Sequence, residues 1–347
     1  NRQIVKTQIQ IIKEKPQRKP MPLIRKLRPT LISIGSAAVC ILLFVMFQDI
    51  IQEQNLPPGE GNSAHSQGEF PGSSSNQGTK GTEASSVINL PESVIEQVAY
   101  ELNKSKSAVT AADLPNIISL EINEPFDYAT VLSQFENLEE LAVCIPVEDW
   151  SFLQDIPGLT SLRIANNELT DLTFLPATLN LTYLAVENIQ LKSLEGIQRF
   201  TGLQTLSIIH NDITNLTPIQ ELTGLTILYA HDNEITSLEP LQNLTNIEIL
   251  TIGENPLQDF STLGNLTNLQ ILSVSDTELE TLDDLKDLNE LLRLDLRGTA
   301  VSDLSPLADK EQLYFIDIRN TEVRSIEPLL GMDNLKFLLL DKDRVLD

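Results

Sequence analysis

The residue types that most often carry catalysis or bind metals are few in this sequence and lie far apart. The 347 residues include three histidines and two cysteines, and none of them has the spacing of a zinc site. His210 and His231 are accompanied by acids, which favours solvated side chains over metal ligands. Phosphate-binding loops and nucleophile elbows are also absent. The sequence therefore predicts a protein that is not an enzyme and needs no metal or cofactor.

The two cysteines do not predict a disulfide. Cys40 lies in a long apolar run, whereas Cys144 lies near a predicted strand. Because these contexts are so unlike, we expect the two thiols not to pair.

The sequence better supports a role in binding a partner, because arginine and aspartate alternate in two segments of similar spacing. Arg293, Asp295 and Arg297 form the first segment, and Asp317 and Arg319 belong to the second. Arginine and aromatic residues often dominate the energetics of protein interfaces, and charged pairs set specificity more than affinity. These residues are candidates for contact with a partner, provided that one face of the fold collects them.

The elements that must position these side chains are repeats. Residues 159–334 form eight consecutive units of 22 residues without insertion, and two irregular units precede them near Ile117 and Leu138. In the unit that begins at Leu203, Leu206 and Ile208 alternate with Thr205, Ser207 and Ile209, which is the period of a short strand. From Ile213 onward the apolar residues recur every third position, which favours 3₁₀ turns. One unit cannot bury its own apolar face, so the units must stack into a solenoid.

The pattern L-x-x-L-x-L-x-x-N-x-[IL]-x-x-L resembles the leucine-rich repeat family, in its internalin-like 22-residue class and membrane-anchored bacterial type. The resemblance implies an α/β solenoid, a right-handed horseshoe with short parallel strands on a concave face. It further implies a convex side of 3₁₀ turns, a helical N-terminal cap and a binding function. The stretch from Leu90, with Pro91 at a helix start and a second start at Thr110, resembles such a cap.

Strand alternation predicts that positions three, five and seven of each unit point away from the core. Several apolar residues in one exposed column would mark a contact surface. The alternative stays open that β-branched residues simply suit strands. The candidate partner-binding residues are Ile227, Tyr229, His231, Ile249, Ile271, Arg293, Asp295, Arg297, Phe315, Asp317, Arg319 and Phe337.

The residues at position nine of the units are predicted to form a structural ladder of hydrogen bonds rather than a binding site. Position nine is Asn in four units and Thr in three later ones, while Ile189 interrupts the series. A buried amide there can bond to the backbone of the neighbouring turn, whereas Thr can make fewer such bonds. We therefore expect a looser C-terminal half. The ladder positions are Asn167, Asn211, Asn233, Asn255, Thr277, Thr299 and Thr321.

Charge is divided unevenly along the chain, whose net charge is −25. Residues 1–28 contain nine Lys or Arg and one acid, whereas residues 29–347 contain 15 basic and 48 acidic residues. The acidic surface excludes nucleic acid as an expected partner. Between the two parts, Leu31–Phe47 has no charged residue and approaches the length that crosses a bilayer. The positive-inside rule then predicts a cytoplasmic N-terminus and external repeats.

The predicted organisation is a basic cytoplasmic tail (1–28), a transmembrane anchor (29–51), a flexible linker (52–86), a helical cap (87–116) and repeats (117–347). We expect a single-pass cell-membrane protein whose extracytoplasmic repeats bind a protein ligand in adhesion or recognition. Two alternatives remain. The chain is the ectodomain of a signalling receptor whose catalytic domain precedes residue 1, or it is a cytosolic regulatory scaffold. A cleaved signal peptide or a buried helix is the alternative to the anchor.

Overall fold

The computed structural model describes residues 90–341. The predicted tail, anchor and linker, including Leu31–Phe47, lie outside these residues, as do 342–347. Within the described range, none of the helices has the length and apolar character required to cross a bilayer. The anchor therefore stays a prediction.

The repeats form one open sheet of eleven parallel strands, and the order of the strands in the sheet is their order in the chain. A sequential parallel order requires each connection to return on the same side of the sheet, which is how a solenoid is built. This confirms the predicted fold class. The strands are Ser119–Ile122 (β1), Glu140–Val143 (β2), Ser161–Ile164 (β3), Tyr183–Val186 (β4), Thr205–Ser207 (β5), Ile227–Tyr229 (β6), Ile249–Thr251 (β7), Ile271–Ser273 (β8), Arg293–Asp295 (β9), Phe315–Asp317 (β10) and Phe337–Leu339 (β11).

The core is a stack of aliphatic residues, one layer from each unit. Leu206, Leu228 and Leu250 occupy the centre of successive strands, pair in register and are fully buried. The apolar residues of the turns close the other side, as Ile213 and Ile219 do in the unit that begins at Leu203. Residues that recur every 22 positions therefore touch their equivalents in the next unit, so every layer depends on its neighbours.

The predicted 3₁₀ turns are confirmed on the side opposite the sheet. Pro218, Pro240, Pro306 and Pro328 each stand within the first two residues of a turn, where a fixed φ is favourable and no N–H is needed. The 3₁₀ helices are Lys106–Ala108, Ala111–Asn116, Ser151–Asp155, Ile197–Arg199, Thr217–Ile219, Glu239–Leu241, Ser261–Asn265, Asp283–Leu285, Ser305–Leu307 and Glu327–Leu329.

A helix, α1 (Glu92–Glu101), lies at the N-terminal end of the sheet and follows Pro91 as predicted. It buries Val94 and Val98 in the same core as the strands. The second predicted start, at Thr110, begins a 3₁₀ helix with a capping box to Asp113. A short helix that the sequence did not reveal, α2 (Tyr128–Leu132), begins where the Asp127 carboxylate accepts a bond from the Thr130 N–H at 3.2 Å.

The asparagine ladder joins neighbouring units, as predicted. Asn233 accepts a bond from the Ile213 N–H at 3.0 Å and donates to the Ile208 carbonyl at 2.8 Å, both in the preceding unit. The Oγ1 of Thr299 instead donates to the Leu296 carbonyl of its own unit at 2.7 Å. Thr299 thus makes fewer side-chain bonds than Asn233, and its bond stays within one unit. The looser C-terminal half stays a prediction.

Position eight of every regular unit has a positive φ, which the sequence analysis missed. Its residues turn the chain out of the strand with φ between 53° and 56°, or 72° at Gly298. This left-handed region suits Asn, Asp and Gly and is costly for other residues. The recurrence of Asn, Asp and Gly at position eight was the sequence signal from which this left-handed turn could have been predicted. The residues are Asn166, Asn188, His210, Asp232, Glu254, Asp276, Gly298 and Asn320.

Candidate binding face of the sheet

The outer face of the sheet, which the sequence predicts to be concave, collects the candidate residues in two columns. Strand register places position three of each unit against position three of the next, and the same holds for position five. The first column is Ile227, Ile249, Ile271, Arg293, Phe315 and Phe337, and the second is Tyr229, Thr251, Ser273, Asp295, Asp317 and Leu339. His231, Arg297 and Arg319 follow the strands at position seven.

Exposure along the first column is uneven, which corrects the expectation of an exposed apolar stripe. Ile227 and Phe337 are half-buried, but Ile249 and Ile271 are only 3% and 0% exposed. Strands lie about 4.8 Å apart, so each side chain in the column is flanked by its equivalents on both neighbouring strands. The expectation of exposed side chains is therefore wrong for the middle of the column. Residues there can support a contact surface from below, but they contribute little to the surface itself.

The charged residues form a compact cluster on β9 and β10. The Arg293 guanidinium lies over the ring of Phe315, 4.1 Å from its centroid, which is a cation–π geometry. The Arg319 side chain binds the Asp317 carboxylate through two nitrogens, Nε at 2.9 Å and Nη2 at 2.5 Å. Arg293, Asp295 and Asp317 are buried, whereas Arg319 is half-buried. The sequence predicted these residues to lie together but not which of them solvent reaches.

Burial raises the pKa of the Asp295 carboxyl above its usual value, and repulsion from the nearby Asp317 carboxylate raises it further. The Arg297 N–H, which donates to Asp295 Oδ1 at 3.0 Å, opposes that rise. The paired Asp317 carboxylate raises the pKa of Arg319. Arg319 therefore keeps its charge.

Two histidines, one of them the candidate contact residue His231, lie side by side. The rings of His210 and His231 are 5.1 Å apart in an edge-to-face arrangement, and His210 Nδ1 lies 2.5 Å from an Asp232 carboxylate oxygen. Burial, and then the neighbouring His210, lower the pKa of His231 to about 4. Position eight of one unit meets position seven of the next because the left-handed turn folds the chain back. Among the described residues, no three possible ligands are close enough to hold a metal ion.

Aromatic residues gather at the C-terminal end of the face, including one that the sequence analysis missed. Tyr314 is 43% exposed and its ring lies 5.1 Å from that of Phe337, edge to face. Phe337 is also near Phe315, at 6.4 Å between centroids. Tyr314 precedes a strand rather than standing at an outward strand position, so alternation alone did not select it.

Comparisons with known proteins agree with the fold. A family model described as leucine-rich repeats, in two copies, matches residues 223–265. No curated protein matches the chain in sequence. The crystal structure of an internalin, InlF from Listeria monocytogenes, is similar, with a TM-score of 0.58, 24% identity and coverage of 74% of this chain and 90% of that one.

A second similar structure is the functional domain of InlJ from the same organism. Its TM-score is 0.51 and its identity 19%, and the match covers 70% of this chain and 58% of that one. At these identities the likeness concerns the fold alone. The chain thus has the leucine-rich repeat fold, with internalins among its structural neighbours.

Proposed function

We propose that this leucine-rich repeat protein is a recognition module that binds a protein partner on the outer face of its sheet, between β6 and β11. The carrying observation is the register, which places half-buried Ile227 and Tyr229 on β6, and half-buried Phe315 and Phe337 on β10 and β11, on the same face as the arginine–aspartate cluster. Proteins with this fold typically bind other proteins, which supports the assignment.

The arginine–aspartate cluster contributes to the specificity of binding more than to its affinity. Asp295 and Asp317 are buried, whereas the Arg297 and Arg319 side chains are 20% and 40% exposed. Arg297 is itself paired with the more exposed Asp276, at 3.5 Å, so the cluster offers a partner both signs of charge. The described residues carry 41 acidic and 12 basic side chains in total. Arginines gathered in so acidic a domain are a local contrast that favours a partner with complementary charges.

The experiment uses the full chain as bait for a partner and then measures the affinity of that partner for variants. Tyr229→Ala and Arg297→Ala should each weaken binding at least tenfold, because aromatic and arginine anchors commonly contribute about 2 kcal/mol or more. The matched control is Glu221→Ala, whose exposed side chain lies beyond the 3₁₀ turn Thr217–Ile219. Unchanged affinity in both face variants would refute the assignment of the outer face.

We further propose that the module is held outside the cytoplasm by a membrane anchor. This rests on the sequence of residues 1–51, where nine basic residues precede the uncharged Leu31–Phe47. Protease added to whole cells, after removal of any wall, should digest the repeats and spare residues 1–28. Protection of the repeats would instead favour the cytosolic scaffold.

A further inference from the structure

The open sheet has two edges, and the two end differently. At β1, the side-chain amide of Gln97 on α1 donates to the Glu121 carbonyl at 2.7 Å and accepts from the Glu121 N–H at 2.8 Å. A neighbouring strand would make the same two bonds. At the other end of the sheet, β10 is the one strand that pairs with β11 within residues 90–341. The side of β11 away from β10 is therefore an open edge of the described sheet.

The backbone of β11 directs hydrogen-bonding groups to this open edge. The Phe337 N–H donates to the Tyr314 carbonyl at 3.1 Å, and the Leu339 carbonyl accepts from the Ile318 N–H at 2.8 Å. Both residues therefore bond the preceding unit. Since backbone groups alternate in direction along a strand, Leu338 between them directs its N–H and its carbonyl to the open edge. Groups presented in this way are a template for pairing with another strand.

Apolar side chains surround the open edge. Leu330 is 40% exposed and Tyr314 is 43% exposed, and Phe337, Leu339 and Leu340 are half-buried. Covering such side chains removes apolar surface from water, which stabilises a contact.

The charge of this end favours a second copy of the chain as the occupant of the edge. Residues 291–341 hold nine acidic and six basic side chains, a net charge of −3, whereas residues 90–290 hold 32 and six, a net charge of −26. Two copies of so acidic a protein repel each other, and this repulsion is weaker where the β11 ends meet. Stacking of β11 onto β1 of another copy is blocked, because Gln97 already occupies the β1 edge.

We propose that β11 pairs with β11 of a second copy of this chain, antiparallel about a two-fold axis at Leu338. In this register each Leu338 N–H donates to the Leu338 carbonyl of the other copy. On the outer face, Phe337 stands opposite Leu339 of the second copy, with their Cβ atoms about 5 Å apart.

The charges at the ends of β11 are complementary in this arrangement. Lys336 precedes the strand and Asp341 follows it. Antiparallel pairing brings Lys336 of each copy beside Asp341 of the other, which forms two ion pairs. The inference goes beyond the proposed function, because the dimer joins two outer faces in one continuous sheet and makes the module bivalent.

The test measures the mass of the full chain by sedimentation equilibrium. A mild detergent is present, because Leu31–Phe47 is a predicted anchor. Between about 1 and 100 μM the parent should change from monomer to dimer, with a Kd of about 10 μM. A parent that stays monomeric over this range overturns the proposal.

Leu339→Lys tests the contact across the two-fold axis. It places an ammonium group against Phe337 of the second copy and should weaken the dimer at least tenfold. The repeat tolerates a cation at this position, because Arg163 occupies it in β3, and an unchanged circular dichroism spectrum would verify the fold. The matched control is Ile118→Lys, at an apolar residue that is 44% exposed beside β1, which should leave the dimer unchanged. A dimer that persists in the Leu339 variant, or is lost in the Ile118 variant, overturns the proposal.

Charge exchange tests the antiparallel register. Lys336→Glu and Asp341→Lys should each weaken the dimer about threefold, because each removes both ion pairs. The double variant should restore the parent Kd. Attraction governed by net charge alone predicts that Asp341→Lys tightens the dimer, and that result overturns the proposal.

Tyr229→Ala, which tests the outer face, should leave the dimer unchanged, because Tyr229 lies on β6, far along the sheet from β11. The dimer and the binding of a partner are measured separately. Failure of this proposal is therefore distinguishable from failure of the proposed function.

Discussion

Replacing Asn233 by alanine should destabilise the repeats by about 3 kcal/mol. The amide oxygen accepts a bond from the Ile213 N–H at 3.0 Å, and the amide nitrogen donates to the carbonyls of Ile208 and Ala230 at 2.8 and 3.2 Å. Neither carbonyl would be orphaned, because Asn211 and Asn255 also donate to them, at 3.0 and 2.9 Å. The Ile213 N–H would be orphaned, at a cost of about 2 kcal/mol, and the lost carbonyl bonds add about 1 kcal/mol.

The matched comparison is Thr299→Ala, at the same position of a later unit. Thr299 donates one bond, to Leu296 in its own unit, so its loss should cost about 1 kcal/mol. Urea unfolding of the full chain, followed by circular dichroism, gives both free energies, and equal m-values would show that the transition stays cooperative. Hydrogen exchange at Ile213 should also accelerate in the Asn233 variant. The reasoning fails if Asn233→Ala costs no more than Thr299→Ala, because bonds between units would then contribute nothing beyond a bond within one unit.

Two other side chains yield predictions. Lys310, 2% exposed, stands where Leu288 stands one unit earlier, and its ammonium bonds the Lys286 carbonyl. Burial lowers the pKa of its amine, so Lys310→Leu should raise the free energy of unfolding by about 1 kcal/mol, and a decrease in urea experiments would contradict this. Burial lowers the pKa of His231 from 6.5 to about 4. Unfolding therefore takes up a proton below pH 6.5, and stability should fall by about 3 kcal/mol between pH 7 and pH 4. His231→Asn should lose that part of the pH dependence, and identical pH profiles of parent and variant would refute it.

The strand and turn assignments followed from the sequence because their signals are local. Alternation at Leu206 and Ile208 predicted a short strand, and β5 confirms it. The period of three predicted the 3₁₀ turns. The helix α2 was missed because Tyr128–Leu132 is five residues long, too short for a helical period to show. The same local grammar predicted that Asn makes more bonds than Thr at position nine.

The sequence predicted which residues lie on the candidate face but not how exposed each of them is. Residue spacing placed Ile249, Ile271 and Arg293 in one column, because units of equal length stack in register. It did not reveal that the middle of this column is buried, since burial depends on which side chains flank each position. Tyr314 escaped for a related reason, as its ring reaches Phe337 from outside the strand alternation.

The sequence by itself determined that this chain is a repeat solenoid, because a 22-residue period of apolar residues leaves stacking as the only way to bury them. Only the tertiary structure decided what the loops bring together. The left-handed turn at position eight sets His210 against His231, and the loops after β2 and β3 bring Trp150 against Phe174 beside a cavity. Each pairing joins residues of different units. The distance between the paired rings depends on side-chain length and turn geometry, which a linear sequence pattern does not encode.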